Sequence, residues 1–207
     1  MPRPEYFIGS FLSAVDLRAE QEYRQGRLHR HTHMLHDHGV VCGLRVVPAR
    51  DPARPWAVLV CPGYAIDCCG REIEVPEAAR LDIREHLWKH PGGWLKQYYS
   101  SLAAETQPTA YVAVRYTEES VHPIPAPPPG CGCEDTVYES SRICDGYRLN
   151  VLWNPPPNSK PTADLCAETT PTCPGCTDQL HVILARIALP VSQRDPIAAS
   201  HIHLREY

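Results

Sequence analysis

Proline restricts this chain more than any other residue. There are 22 of them, about twice the usual share. Each fixes φ and removes an amide donor, so the chain must turn often and cannot be a helical bundle. The densest runs, "VHPIPAPPPGCGCED" and "NPPPNSKPTADLCAETTPTCPGCTDQ", are read as irregular loops. The segments around them have strand character. "VVCGLRVV", "CCGREIEV", "TAYVAVRYTEE" and "LHVILARIALPV" alternate or run apolar over strand lengths, bounded by turn residues. "WAVLVCPGYAID" reads as strand, Pro-Gly turn, strand, and "SRICDGYRLNVLW" as a strand with a bulge near Gly146. The expected fold class is mainly β with an N-terminal α-helix (α+β), a β-sandwich-like core carrying Pro/Cys-rich loops.

The helix is read from Ser13 to about Asp37. Ser13 and Asp16 are spaced as a capping box, and Gly39 reads as a stop. Ala14, Leu17, Gln21, Arg24, Leu28, His31, Leu35 and His38 recur at three-four spacing, a stripe only half apolar. Such a face meets another subunit more readily than a dry interior. Leu17, Arg24, Leu28, His31 and Leu35 are therefore the expected interface. Ahead of the helix, Tyr6, Phe7, Ile8 and Phe11 form an aromatic-rich arm suited to docking. The expected organisation is an arm and helix over 1–38 and a mainly β domain over 39–207, with Pro/Cys loops at 121–135 and 154–178.

Composition excludes some partners. The net charge is −4, which leaves no basic excess to neutralise phosphates, so no nucleic-acid partner is expected. No apolar run is long enough for a membrane span, so no membrane insertion is expected. The start lacks a signal peptide's apolar stretch, which points to a cytoplasmic assembly, or to part of a virion-like or released particle.

Two clusters could carry chemistry. "HRHTHMLHDHG" places His29 and His33 four apart on a helix, a spacing that can bind a divalent metal. A zinc-dependent hydrolase using that pair is the alternative reading, and a small zinc-stabilised binding module a third. However, the zincin motif needs glutamate after the first histidine, and Arg30 is there instead. Histidines near a helix C-terminus also suit its negative end. In the loops, Cys131-Gly-Cys133 and Cys173-Pro-Gly-Cys176 are two knuckles that together could hold a structural zinc through four thiolates. Cys144 and Cys166 are spare candidates, and disulfides are the competing reading. Cys42, Cys61, Cys68 and Cys69 lie in apolar, β-forming sequence and read as small buried hydrophobes. Glu72 and Glu74 alternate with Ile73 and Val75 as on a strand's solvent face, not as an acid–base pair with Asp67. No phosphate loop, nucleophile elbow or dinucleotide fingerprint is present, and no enzyme is expected.

Taken together, the motifs resemble uncharacterised bacterial proteins whose genes accompany phage-tail-like contractile injection systems and prophage tails. The likeness lies in Tyr6, Gly9, Leu12, Asp16-Leu17, Glu20-Gln21-Glu22-Tyr23, His31, His36 and Gly39 through Leu44, matching "HGxGVVCGLxV". It continues in "CPGYAIDCCGREIEV", similar to "pGyAxDxxGxEIxV". The chain departs from the pattern at Asp37, where glycine is usual, and at Thr32, where asparagine is common. The resemblance implies a non-catalytic subunit of a baseplate, tail or appendage, forming oligomers with itself and other particle subunits. It also implies that His31 and His36 are packing residues.

Overall fold

The computed structural model describes residues 2–36, 38–88, 108–126, 137–153, 180–190, 192 and 194–204. Helix α1 spans Ala14–His36. It opens with a reciprocal cap. The Ser13 hydroxyl oxygen accepts from the Asp16 amide at 3.2 Å, and the Asp16 carboxylate accepts from the Ser13 amide at 3.0 Å. Two of the helix's unsatisfied N-terminal donors are thereby satisfied.

The strands are β1 (Gly39–Gly43), β2 (Val46–Pro48), β3 (Ala57–Val60), β4 (Gly63–Ile66), β5 (Glu72–Val75) and β6 (Ala79–Asp82), then, after the short helix α2 (Ile83–Trp88), β7 (Thr109–Ala126), β8 (Val137–Trp153), β9 (His181–Ala188) and β10 (Ile202–Leu204). They form three antiparallel sheets, ordered β1-β4-β5, β2-β3-β6 and β10-β9-β7-β8. The fold is mainly β with an N-terminal helix, and its packing is sandwich-like. One apolar cluster joins all three sheets. It includes Trp56, Val58 and Val60, then Ile73 and Val75, then Val112, Val114 and Ile187. The Trp56 indole satisfies its buried N–H by donating to the Asp195 carbonyl at 3.0 Å, which ties the C-terminal segment to this core.

The Pro62-Gly63 step is not a hairpin turn. β3 and β4 belong to different sheets. β1 with β2, and β3 with β4, behave as two long bent strands that pair through the bend. Val46 is opposite Val60 on one side of it and Gly43 opposite Gly63 on the other. At the corner Leu44 donates to Pro62 at 3.1 Å and Cys61 to Arg45 at 2.8 Å. The two backbones touch there. A Cβ on Gly43 would lie 2.2 Å from the Pro62 carbonyl oxygen, and one on Gly63 would lie 2.3 Å from the Leu44 amide. Strands that switch sheets through such bends make the corners of sandwiches.

β7 and β8 differ from expectation in two ways. β7 continues to Ala126 through Pro123 and Pro125, which were read as loop. β7 pairs with β9 only over Thr109–Arg115, but with β8 along its whole length. Among the described residues its outer half is therefore a two-stranded ribbon with one edge unpaired. Prolines two residues apart direct their missing N–H groups to one side, and on that open edge no ladder bond is lost. Gly146 is in regular register opposite Thr117, so there is no bulge. The irregularity lies instead between Val112 and Ala113 in the pairing with β9. The tail read as extended is a short 3-10 turn at Ala199–His201 followed by β10. The second helix candidate, "WLKQYYSSLAAET", lies outside the described residues.

Candidate functional site: exposed elements around an anchored root

α1 has two faces of different character. Asp16, Ala19, Glu20, Tyr23, Gly26 and His29 are partly buried, and Thr32 and His33 are buried. The chain's own segments cover this inner face. The Tyr6 hydroxyl donates to Glu20, which brings the N-terminal arm back along the helix. Nearer the helix C-terminus lies Gly70, where a Cβ would be 2.0 Å from the His29 carbonyl oxygen and 3.0 Å from the His33 amide. The three-four stripe is on the opposite face and is exposed from Ala14 to Leu35, with Leu17 at 53%, Leu28 at 54% and Leu35 at 65%, while His38, beyond the helix end, is partly buried. Each of the five expected interface residues is thus outward-facing. Phe7, Ile8 and Phe11 on the arm are exposed as well.

The root of α1 is built on the β4–β5 turn. Asp67 is fully buried there. One carboxylate oxygen accepts from the Cys69 amide at 2.8 Å and the Arg71 amide at 2.9 Å, and the other accepts from Arg71 Nε at 2.7 Å. The Arg71 guanidinium lies over the Tyr116 ring, 5.0 Å from its centroid, a cation–π arrangement. The Tyr116 hydroxyl donates to Asp145 at 2.5 Å, with Glu118 3.0 Å away. A continuous set of contacts thus runs from the helix root through the turn to the base of the ribbon. Sequence reasoning placed Asp67 beside Glu72 and Glu74 only as a rejected acid–base set. The missed signal was the Asp-x-x-Gly-Arg spacing of a turn whose carboxylate can reach two backbone amides.

The ribbon is the third exposed element. Val137 through Asp145 are all exposed, and Ile124, Tyr138 and Ile143 display large apolar side chains. The section beyond Arg115 extends roughly 35 Å at strand rise. An isolated two-stranded ribbon is marginal in water.

Between this ribbon's base and the β4–β5 hairpin is a cleft of about 590 Å³, lined by Tyr64, Glu72, Glu74, Glu119, Asp145 and Tyr147. Burial, with Glu72 and Glu74 close by, pushes the Tyr64 hydroxyl up to about 12. Burial and its Asp145 hydrogen bond raise Tyr116 too. Both tyrosines favour the protonated form more in the folded chain than in the unfolded one. Their stabilisation is complete below the ordinary tyrosine pKa near 10 and is lost as pH rises toward the folded value. Urea midpoints should therefore fall between about pH 10 and pH 12, and Tyr64→Phe should flatten that fall. An unchanged slope in the variant would remove Tyr64 from the account.

The histidines separate. His33 is buried at the root, His29 is partly buried, and the His31 and His36 rings meet edge to face at 6.4 Å. Among the described residues no group of three or more His, Cys, Asp or Glu is placed to hold a metal ion. Cys131, Cys133, Cys166, Cys173 and Cys176 lie outside the described residues. Of the cysteines read as buried hydrophobes, Cys68 is buried, Cys61 is partly so, and Cys42 is exposed. Cys69 is disulfide-bonded and so departs from that reading. Its side chain is partly buried.

No protein-family model matches the chain, and no curated protein is detectably similar to it.

Proposed function

We propose that this chain is a non-catalytic structural subunit of a phage-tail-like particle, packing against copies of itself and neighbouring subunits. The observation that carries the reading is the outward stripe of α1, exposed from end to end while the opposite face is held by the chain's own arm and turn. A helix so exposed gains little from its own fold, and helices in proteins owe most of their stability to a packed face. The apolar arm and ribbon add further uncovered surface at either end of the Asp67–Tyr116 root. Large exposed apolar patches on a folded domain mark contact with other proteins. The resemblance to proteins of contractile injection systems points the same way. Assembly in the cytoplasm, or carriage on a released particle, fits this role.

The test is electron microscopy of particles isolated through the tagged chain from its native host. The expected result is a sheathed or fibrous particle carrying the chain at a fixed position. A lone small protein would overturn the reading. Structural zinc at Cys131, Cys133, Cys173 and Cys176 is part of the same proposal, since metal binding stabilises segments that have little core of their own. Metal analysis of the purified chain should find about one zinc. A metal-free protein would discard the site.

A further inference from the structure

The outer face of the β7–β8–β9 sheet carries cations that its own fold does not neutralise. Val112 and Val114 turn one face of β7 into the core, so Arg115 stands on the other, where it is exposed. Register places exposed Arg148 of β8 directly opposite it on one side and His181 of β9 on the other. Directly opposed residues share a face of the sheet, and like charges so placed weaken the pairing. Strand spacing keeps the three backbones within about 10 Å. Among the described residues neither Arg115 nor Arg148 makes an ion pair. By register the nearest carboxylate on this face of the three strands is Glu119, four positions along β7 and about 13 Å away.

The third member of the row is fixed in place. Asn150 Nδ2 donates to His181 Nε2 at 3.0 Å, a bond that reaches from β8 to β9 across β7. Ala113, the β7 residue opposite Asn150, is fully buried, and its small side chain leaves room for this bridge. Burial, together with Arg115, pushes the His181 imidazole below the ordinary histidine value, which favours the neutral ring at pH 7.

We propose that Arg115 and Arg148, with His181 beside them, bind an oxyanion, a carboxylate or phosphate group, on the outer face of this sheet. Guanidinium groups present paired N–H donors that match the oxygens of either group. An anion held between the two arginines replaces their mutual repulsion with two attractions. Local rules of sheet pairing are broken chiefly where function requires it, and two facing arginines without a counter-charge break one. Glu119 bounds the site on the ribbon side. A long polyanion running along β7 would meet that like charge, whereas a single group or a short acidic segment would not. The site stands apart from the subunit reading, because its binding is measured on the isolated chain.

The experiment titrates the full chain with inorganic phosphate by calorimetry at constant ionic strength. The expected result is one site per chain with a dissociation constant of about 1 mM. Arg115→Gln and Arg148→Gln should each weaken binding about tenfold or more. In phosphate-free buffer of low ionic strength, Arg148→Gln should also raise the urea midpoint, because it removes the charge that faces Arg115. A hexaglutamate peptide identifies the source of the anion. Binding tighter than that of phosphate assigns the site to an acidic segment of a neighbouring subunit, and equal or weaker binding assigns it to a free oxyanion. A lowered midpoint in Arg148→Gln, no binding of either probe, or undiminished binding in both variants would overturn the proposal.

Discussion

Asp67→Ala is expected to lower the stability of the folded chain by about 3 kcal/mol, the low end for breaking a buried ion pair. The carboxylate is fully enclosed, while the Arg71 side chain retains 23% of its exposure and can recover some solvation. Two further losses add to the cost. The amides of Cys69 and Arg71 lose their acceptor, and the guanidinium loses the anchor that holds it over Tyr116. The urea midpoint should fall by roughly 1 M for a domain of this size. Asp67→Asn keeps an oxygen for the two amides but loses the charge and the acceptor for Arg71 Nε, so it should lose less than alanine while still breaking the ion pair. Equal midpoints for the alanine variant and the wild type would show that the stitch is not structural.

Gly70→Ala is expected to act at the same place by another route. Gly70 has φ +80°, a conformation that L side chains rarely adopt. Its new Cβ would also meet the backbone of α1, an obstacle that no rotamer change relieves. The core does not pass through this contact, so the sheets should persist while the helix root separates from the turn. Hydrogen exchange locates the effect. Amides in the C-terminal half of α1 should exchange about a hundredfold faster, and those of β3, β7 and β9 should change little. Unaltered exchange in α1 would mean that the helix is not seated on the turn.

The sequence made some of this fold legible and obscured the rest for identifiable reasons. The Ser13–Asp16 cap and the alternation from Glu72 to Val75 are local patterns, and each reports its own segment correctly. The outward stripe of α1 was readable because its polarity was mixed. Alternation tells which side chains enter the core, however, and not which strand lies alongside. Pro62-Gly63 therefore looked like a hairpin when it was a corner. Pro123 and Pro125 looked like loop because proline's cost depends on whether its amide was needed, a fact of neighbours and not of sequence. The Asp67–Arg71–Tyr116–Asp145 series spans 79 positions of sequence, from 67 to 145, and only the fold brings its members together.

Those two prolines have a consequence beyond tolerating a strand. A flat ribbon with bare edges is a template on which other chains can grow, one strand upon the next, into fibres. Pro123 and Pro125 take two donors out of the open edge of β7, and charged Glu118 and Glu119 lie just below them. Growth along that edge meets a gap before it can propagate. The exposed ribbon is thus less open to runaway strand-by-strand growth.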